Sequence, residues 1–287
     1  MRFTRKRKIL ASVAAVVILA GLALVVWSFF IEPNRLVINE ARIELKGWPK
    51  SFDNLKIAVI GDLHVGAPHI GVDKLREVVE AVNEKKPDLI LIPGDFVIQD
   101  VRGGRFVDPE TIGRNLQGLR ARLGVFAVLG NHDRWLDAER VIRSLESGGV
   151  RMLENDVARL EQSGETLWLI GLSDLWTSRP DIEGTLARVS DSGPVIMFTH
   201  NPDVFPRIPS RVSLTVAAHT HGGQVHIPLV GRPIIPSDYG ERFAAGHIIE
   251  DGRHLFVTTG VGTSIIPVRF RVTPEIAILT ITGEPTK

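Results

Sequence analysis

The sequence contains no cysteine among its 287 residues. It therefore forms no disulfide bond, has no thiolate nucleophile and cannot build the cysteine cage of a structural zinc site. It also lacks internal repeats and low-complexity tracts, and its glycines and prolines are dispersed. With 44% apolar and 23% charged side chains, the chain has the composition of a folded protein and can bury a sizeable core.

Acidic residues are absent from positions 1–31, which differ from the rest of the chain. Five basic side chains lie within residues 1–8, and the next 23 residues, 9–31, are mostly apolar and carry no charge. This run exceeds the roughly 20 residues that cross a hydrocarbon core, and its bulky end, Trp27–Ile31, lacks the small-x-small pattern of a signal-peptidase site. We predict a basic cytoplasmic N-terminus (1–8) and a single-pass cell-membrane anchor (9–31), with the remainder of the chain extracytoplasmic.

A basic surface for nucleic acid is missing as well. The whole chain has a net charge of +1, so the part after residue 31 has a net charge of −4 without the five basic residues before it. Binding to a phosphate backbone depends on clustered positive charge, and no basic stripe with interleaved aromatic residues occurs in this part. We expect no nucleic-acid partner, and the sequence leaves the oligomeric state open.

The part after the anchor contains short apolar runs separated by amphipathic segments, which is typical of strands alternating with helices. Predicted strands are 56–60, 88–92, 125–129, 167–170, 194–198, 212–217, 255–257 and 276–281. Predicted helices are 72–82, 108–123, 137–147 and 182–190. In the second helix, Asp108 can act as the N-cap and Pro109 can take the first helical position. The order predicts an α/β fold with mixed sheets, divided into a linker with a first strand (32–54) and one compact domain (55–287).

Five of the apolar runs end in the same way, with polar residues that can bind metal directly after the strand. In open α/β sheets ligands bind outside the carboxyl ends of the strands, so these residues should converge at one edge. Glycines before several of them allow the chain to turn sharply. The residues are Asp62, His64, Asp95, Asn131, His132, Asp133, His200, His219 and His221.

The residue types in this set indicate a metal site. Carboxylates, an amide and neutral imidazoles together suit Mn, Fe or Zn. The set exceeds what one ion needs, so two ions about 3.5–4 Å apart and bridged by one carboxylate are the simpler solution. Each motif alone also occurs in ordinary turns and surface loops. The ordered combination, with every motif at a strand end, predicts a dinuclear centre.

The order of these motifs resembles that of the calcineurin-like metallophosphoesterase superfamily. The family pattern is Asp-x-His, Gly-Asp, Gly-Asn-His-Asp, a lone His and His-x-His, and this sequence supplies all five between Gly61 and His221. The segments Thr199–Asp203, His221–Gln224 and Thr259–Ser264 are similar to the membrane-anchored YaeI/YkuE-like branch. The resemblance implies a four-layer sandwich of two mixed β-sheets flanked by helices, here preceded by the transmembrane helix, with residues 55–287 as the catalytic domain.

The resemblance also implies two divalent ions, with Mn favoured over Fe or Zn, held by two groups of ligands that share one carboxylate. One ion would be held by Asp62, His64 and His221, and the other by Asn131, His200 and His219. Asp95 would bridge the two ions. His132 would face the phosphoryl group, where it stabilises charge or protonates the leaving oxygen, and Asp133 would orient it.

Two positions depart from the family pattern. Ala218 stands where the family usually has glycine, directly before His219, and alanine is strained if this position needs a positive φ. A second acidic residue, often found shortly after the bridging aspartate, is missing or displaced to Asp100. Neither departure changes the predicted ligands.

Several other residues that could carry chemistry match no motif position. Those interpreted as ordinary surface, loop or packing residues are His69, His226, His247, His254, Trp135, Trp176 and Tyr239. Of the histidines, His226 lies nearest the predicted site in sequence, and the aromatic residues could flank the cleft. Arg102 and Arg105 are interpreted as part of a solvated loop, with a clamp for a substrate phosphate as the alternative.

The predicted activity is hydrolysis of a phosphoester by in-line attack of a metal-activated water, so that no side-chain nucleophile is required. Because the anchor confines the site near the bilayer, we expect the substrate to be a lipid or a lipid-linked phosphoester or pyrophosphate. The alternative is a tethered general phosphatase or nucleotidase acting on small phosphorylated molecules. A non-enzymatic binding scaffold is a third possibility, which the presence of His132 disfavours.

Overall fold

The computed structural model describes residues 5–99 and 101–284; Arg2, in the predicted cytoplasmic segment, and Asp100 lie outside them. The strands are β1 (Val37–Leu45), β2 (Leu55–Val59), β3 (Leu89–Pro93), β4 (Val125–Val128), β5 (Arg151–Met152), β6 (Asp156–Gln162), β7 (Glu165–Gly171), β8 (Val195–Phe198), β9 (Leu214–Ala217), β10 (Gly246–Glu250), β11 (Arg253–Val257) and β12 (Glu275–Gly283). The α-helices are α1 (Arg5–Val26), α2 (Val72–Glu84), α3 (Pro109–Leu116), α4 (Asn131–Ser147) and α5 (Ile182–Leu186).

The strands form two six-stranded mixed sheets. In the first, the order is β1-β12-β2-β3-β4-β5; β2 to β5 are parallel, and β12 runs antiparallel to β2. In the second, the order is β10-β11-β9-β8-β7-β6, with β11, β9, β8 and β7 parallel and an antiparallel partner at each edge. Because β1 pairs with β12, the segment 32–54 contributes an edge strand to the first sheet.

Alternating side chains divide the core into three apolar layers. In β3, Leu91 points between the two sheets, whereas Ile92 points toward α2, α3 and α4. In β7, Leu169 again lies between the sheets, and Ile170 belongs to the outer layer near α5. Successive residues of a strand face opposite sides, so a run that is apolar at every position is buried on both faces. This arrangement confirms the predicted four layers of helices, sheet, sheet and helices.

All eight predicted strands are present, with ends shifted by at most two residues. The sequence did not indicate β5, β6 and β10, each of which lies at the edge of a sheet. Edge strands are half exposed and carry polar residues, so they lack the continuous apolar run by which the other strands were identified.

The predicted helix 108–123 begins where expected but ends too late. Asp108 caps α3 by accepting the N–H of Thr111 at 2.8 Å, and Pro109 is its first residue. The helix stops at Leu116, because Gly118 follows and its carbonyl accepts the side chain of Asn83 on α2. The last predicted helix, 182–190, also ends earlier than predicted, at residue 186.

Helix α4 begins at Asn131, before its predicted start at Asp137. Asp137 itself has a non-helical backbone, with φ −177° and ψ 94°, and its side chain accepts the N–H of Arg140 at 3.0 Å. The predicted start is therefore the cap of the second segment of α4. The first segment carries the residues of the Gly-Asn-His-Asp motif.

Helix α1 stands outside the packed layers. None of its described residues is buried, and it is long and apolar enough to cross a membrane. Its 22 residues span about 33 Å at about 1.5 Å per residue, which matches a hydrocarbon core of roughly 30 Å. The chain stays helical through Trp27–Ile31 and meets the domain there, where the carbonyl of Ser28 accepts the N–H of Arg269 at 2.9 Å.

Candidate metal centre

The predicted site residues lie in loops that follow β2, β3 and β4 of the first sheet and β8 and β9 of the second. Within each sheet these strands are parallel, so their carboxyl ends lie at the same edge. The structure brings the predicted residues together at this edge and buries every one of them. They are Asp62, His64, Asp95, Asn131, His132, Asp133, His200, His219 and His221.

Several of these residues have a left-handed backbone, with φ between 42° and 72°. They are Asp62, His64, Asp95, His219 and His221. This conformation costs a non-glycine residue on the order of 1 kcal/mol, so stability alone favours glycine there. The side chains at these positions must serve a purpose that glycine cannot serve.

The departure at Ala218 carries no backbone strain. Among the described residues it is His219, not Ala218, that has the positive φ. Ala218 is fully buried, and a Cβ added to Gly61 would lie 2.7 Å from the Cβ of Ala218. The methyl group of Ala218 therefore occupies the space that the glycine at position 61 leaves free.

The first group of possible ligands consists of Asp62, His64 and His221. One donor atom from each lies within 4.8 Å of the other two. The Nε2 atoms of His64 and His221 are 3.1 Å apart, and both rings are buried. The other ring nitrogen of His64, Nδ1, lies 3.2 Å from the carbonyl of Val97, which orients the ring.

The second group consists of Asn131, His200 and His219. The Nε2 atom of His200 lies 3.0 Å from Oδ1 of Asn131 and 3.0 Å from Nδ1 of His219. Nδ1 of His200 lies 2.8 Å from the carbonyl of Pro93. All three side chains thus direct one electron-donating atom into the same small space.

Asp95 lies between the two groups. Its Oδ2 atom is 3.4 Å from Nε2 of His64 and 3.3 Å from Nε2 of His200. Its Oδ1 atom accepts the backbone N–H of His132 at 3.0 Å. The carboxylate of Asp95 thus approaches the Nε2 atom of a histidine in each group, as a bridging ligand must.

The positions of the donor atoms are better explained by two bound cations than by contacts among the donor atoms themselves. A carbonyl can only accept a hydrogen bond, so Nδ1 of His64 and of His200 carries a proton, and Nε2 is the atom of each ring that could bind a metal ion. Nε2 of His200 lies beside three electron-rich atoms, which belong to Asn131, His219 and Asp95. A positive charge in that space, whether a proton or a metal ion, would be stabilised by all three.

The electrostatics of the histidines agree with this. Burial lowers the pKa of His64 to about 3 and holds the pKa values of His219 and His221 well below the ordinary value, so these rings are neutral, as metal-binding imidazoles must be. Burial also lowers the pKa of His200, but the charge of Asp95 and its hydrogen bond outweigh this and raise that pKa to about 10. Burial would raise the pKa of Asp95, but His200 and His64 hold it well below its usual value. The site thus stabilises positive charge beside Asp95.

Asp133 fixes the backbone that carries the other residues. Its carboxylate accepts the N–H groups of Asp95, Phe96, Val97 and Gly130, at 2.8 to 3.2 Å. Burial, followed by the charge of Asp95, raises the pKa of Asp133 to about 7. Through these bonds Asp133 ties the loop after β3 to the start of α4, and its predicted role in orienting His132 stays a prediction.

We call the two groups of possible ligands the metal groups. His132 lies at the boundary between them and the open cleft. Its ring stands edge-on to that of His64, with centroids 4.8 Å apart. One of its nitrogens also lies within 4.8 Å of donor atoms of His64 and Asp95. The geometry therefore permits His132 to be either a general acid or a further ligand, and our prediction of the first role requires a test.

Arg269 supports the site and was not indicated by any sequence motif. It is fully buried, and its guanidinium donates hydrogen bonds to the carbonyls of Thr259, Gly260 and Gly262. This loop lies behind Asp62: a Cβ added to Gly260 would be 2.6 Å from the Cβ of Asp62. Burial lowers the pKa of Arg269 to about 10, and burial raises that of Asp62 to about 7.

A family model described as calcineurin-like phosphoesterase matches residues 55–223. The chain belongs to this family. The metallophosphoesterase YkuE of Bacillus subtilis is 32% identical over 88% of this chain and 87% of its own length. The phosphodiesterase YaeI of Escherichia coli is 31% identical, over 78% of this chain and 81% of its own. A transmembrane protein with a metallophosphoesterase domain from Danio rerio is 28% identical, over 92% of this chain and 61% of its own.

A cleft of about 540 Å³ opens beside the metal groups of this metallophosphoesterase. Its inner end is lined by Asp95, Asn131, His132, His219 and His221. Its walls are mainly apolar and include Trp135, Trp176, Ile234, Ile235, Ile265 and Ile266. The ring of Trp176 stands edge-on to that of His219, with centroids 4.3 Å apart, so it directly adjoins the second metal group.

The remaining residues singled out from the sequence lie away from the metal groups. His247 and His254 stack on each other in the β10–β11 hairpin. Nδ1 of His69 lies 2.9 Å from Nδ2 of Asn34, which follows the apolar helix in the chain. Tyr239 packs against a buried phenylalanine and does not line the cleft, unlike the two tryptophans.

The arginine loop 101–107 also lies outside the metal groups. Its two arginines are exposed, and the N–H of Arg102 donates to the carbonyl of Ile265 at 3.0 Å. Ile265 itself lines the cleft. The loop is therefore attached to the rim of the cleft.

Proposed function

We propose that this metallophosphoesterase hydrolyses a phosphodiester, phosphomonoester or pyrophosphate of a lipid or lipid-linked molecule at the membrane surface, with a dinuclear metal centre. The observation that carries the proposal is the apolar cleft that leads straight to the metal groups. A small hydrophilic phosphate ester does not need walls of isoleucine and tryptophan, whereas an acyl or prenyl chain does.

The metal ligands in this proposal are those of the two groups. Asp62, His64 and His221 hold one ion; Asn131, His200 and His219 hold the other. Asp95 contacts both. When bound, two divalent ions lower the pKa of water and neutralise charge on the attacking and leaving oxygens, chemistry that suits manganese, iron or zinc. We favour manganese, because carboxylate, amide and imidazole donors suit it.

The side chains around the centre contribute positioning and proton transfer. His132 projects from the start of α4 into the cleft, where it protonates the leaving oxygen or stabilises the charge on the phosphoryl group. The backbone N–H of His132 donates a hydrogen bond to Oδ1 of Asp95, which fixes the distance between the proposed acid and the bridging carboxylate. Trp135 packs edge-on against His132 and Trp176 packs edge-on against His219, so both rings flank the centre in the wall of the cleft.

The alternative function is that of a tethered general phosphatase or nucleotidase. One observation favours it: Trp135 and Trp176 are each about half exposed at the cleft, at 52% and 50%, and could stack on a nucleobase. The aliphatic residues deeper in the wall, such as Ile235 and Val268, have no counterpart in this explanation. The lipid proposal accounts for both sets of residues.

The test uses the full-length protein in nanodiscs, supplied with Mn²⁺ or with a chelator. Three substrates are compared: a long-chain phospholipid or lipid pyrophosphate, its short-chain soluble analogue, and a nucleoside monophosphate. We expect chelation to abolish all turnover, Mn²⁺ to restore it, and kcat/KM to be highest for the long-chain substrate. Asp95→Asn measures the background from contaminating hydrolases.

Two outcomes would contradict the proposal in different ways. Undiminished turnover in a rigorously metal-stripped sample would refute the dinuclear centre. A preference for the nucleotide over both lipid-derived substrates would refute the lipid assignment and support the alternative. Trp176→Ala sharpens the comparison, because loss of an apolar wall should raise the KM for the long-chain substrate more than that for its short-chain analogue.

A further inference from the structure

Two exposed apolar turns stand at the mouth of the cleft, one within residues 227–236 and one within residues 264–268. Their exposed apolar side chains, which we call the apolar rim, are Leu229, Val230, Ile234, Ile265 and Ile266. We propose that the apolar rim is a membrane-docking surface that inserts into the bilayer beside α1 and seats the mouth of the cleft on the lipid. This inference rests on the proposed membrane action of the chain.

The exposure of the apolar rim is the first argument. Leu229 is as exposed as in an extended chain, and Ile234, Val230 and Ile265 are 77%, 70% and 67% exposed. Single apolar residues on a surface are ordinary. A set of large exposed aliphatic side chains, three of which line one cleft, marks a binding surface, because exposed apolar patches are costly in water.

The backbone of the apolar rim is the second argument. Leu229 has φ +68° and Ile265 has φ +61°, and the left-handed region is strongly disfavoured for isoleucine because of its β-branch. The turns could relieve this strain by carrying glycine or asparagine, as turns of this kind usually do. Instead, each turn presents a large aliphatic side chain to the outside at its most strained position. Folding stability explains neither residue, whereas insertion into an apolar phase explains both.

The position of the apolar rim relative to α1 is the third argument. The carbonyl of Ser28, at the end of the anchor, accepts the N–H of Arg269 at 2.9 Å. Ile266 is three residues before Arg269 and is thus within about 11 Å of it along the chain. The carbonyl of Phe270, the residue after Arg269, accepts the N–H of His226 at 2.9 Å. The turn that carries Leu229 begins directly after that pair.

Both turns are therefore joined by hydrogen bonds to the point where α1 meets the domain. If α1 crosses the bilayer, residues in contact with its last turn lie at the membrane surface, and the apolar rim lies there too. The occupant of this surface is consequently the bilayer that surrounds α1, and neither a second protein nor a soluble ligand is needed to cover it.

The neighbouring arginine loop has the composition of a membrane interface. Arg102, Arg105 and Phe106 are exposed, and Phe106 is 53% exposed. The loop is attached to the apolar rim by the hydrogen bond from the N–H of Arg102 to the carbonyl of Ile265. Basic side chains near a membrane surface attract anionic headgroups, and an aromatic ring suits the interface. The partner is thus an anionic phospholipid surface.

Three residues of the apolar rim also form part of the cleft. Ile234, Ile265 and Ile266 line it, and its other end lies at the metal ligands. With the apolar rim inserted, a lipid tail moves from the bilayer into the cleft without crossing water, while its phosphoester reaches the metal groups. The two turns then act as the entry to the active site as well as a docking surface.

The absence of cysteine makes a direct test possible in the full-length protein. Single cysteines are introduced as Leu229→Cys and Ile265→Cys, labelled with an environment-sensitive fluorophore, and reconstituted in nanodiscs that contain anionic phospholipid. Glu161→Cys is the matched control, since it is exposed on β6 near the β6–β7 turn, at the opposite end of the sheet from the carboxyl ends of β7, β8 and β9. Lipids with a quencher on the upper part of the acyl chain report insertion.

We expect blue-shifted emission and strong quenching at positions 229 and 265, and neither at position 161. The docking proposal would be overturned if the labels at positions 229 and 265 showed the same emission and the same quenching as the label at position 161. A second full-length variant carries Val230→Asp beside the labelled Leu229→Cys, which places a charge in the apolar rim at a residue that does not line the cleft. It should lose most of the quenching and retain its turnover of a short-chain soluble substrate, whereas unchanged quenching would contradict insertion of this turn.

The docking proposal and the proposed function can fail separately. If the labels insert but no lipid phosphoester is hydrolysed, the docking surface stands and the lipid substrate is wrong. If lipid is hydrolysed while both labels remain in water, the substrate class stands and the docking surface is wrong.

Discussion

The sharpest test of the candidate site separates metal binding from proton transfer, by comparing Asp95→Asn with His132→Ala. The structure assigns different contacts to the two side chains. Oδ2 of Asp95 lies 3.4 Å and 3.3 Å from Nε2 of His64 and His200, so it reaches both metal groups. The side chain of His132 lines the cleft, and its bond to Asp95 is made by the backbone N–H.

Each substitution removes one function and leaves the other in place. In His132→Ala the backbone N–H still donates to Asp95, so the bridging carboxylate keeps its position. The loss of a general acid costs about 10²–10⁴-fold in kcat, or about 3–5 kcal/mol of transition-state stabilisation. In Asp95→Asn, the amide oxygen can still accept from His132, but the anionic oxygen between His64 and His200 is gone. Both ions lose a ligand, so metal content and kcat fall together.

The assay measures metal stoichiometry by elemental analysis, and kcat on a soluble phosphodiester, after identical purification of each variant. His254→Ala is the matched control, because this histidine stacks on His247 in the β10–β11 hairpin and should change neither quantity. Near-normal turnover in His132→Ala would show that it is not the acid. Metal loss in His132→Ala equal to that in Asp95→Asn would show that it is a ligand, as its distance from His64 and Asp95 also permits.

Three other substitutions or treatments test the support of the site and the orientation of the chain. Asp133→Asn should lower the free energy of unfolding by about 2–6 kcal/mol, because each carboxylate oxygen accepts two of the four N–H donors and an amide nitrogen in place of either oxygen leaves two unpaired, at about 1–3 kcal/mol each; urea denaturation measures this, and a loss within error of zero would contradict it. Gly130→Ala should reduce metal content, because the new Cβ would collide with Oδ1 of Asp95, whereas Gly71→Ala, which has open space around it and a φ of −88°, is the control for elemental analysis. Protease added outside spheroplasts should digest the domain after residue 31 if the anchor is oriented as predicted, and digestion only after membrane rupture would reverse the topology.

The sequence predicted which residues converge at the candidate metal site more completely than it predicted the fold, for a physical reason. Metal ligands must have particular side chains, so Asp62 or His200 can be recognised without knowledge of its neighbours. The central strands were also predictable, because β3 and β8 are buried on both faces and read as continuous apolar runs. The edge strands β5, β6 and β10 are stabilised by pairing with a neighbour, which leaves little trace in their own residues.

Support residues escaped prediction because their role depends on what the fold places beside them. Arg269 looks like any surface arginine in the sequence, yet it is fully buried among main-chain carbonyls. The end of α3 depends on Asn83 of another helix. The apolar rim was equally invisible, because Leu229 and Ile265 are ordinary core residues by type and only their exposure and backbone set them apart.

Arg269 joins the three parts of the molecule on which the proposals depend. Its backbone N–H holds the end of the anchor at Ser28, and its guanidinium holds the loop behind Asp62. Its neighbour Phe270 pairs with the segment that leads to Leu229. If α1 spans a membrane, a displacement of this helix relative to the domain would act on the loop behind Asp62 and on the rim of the cleft through the same residue. Arg269 thus connects the apolar helix to the candidate metal site, by its backbone on one side and by its buried side chain on the other.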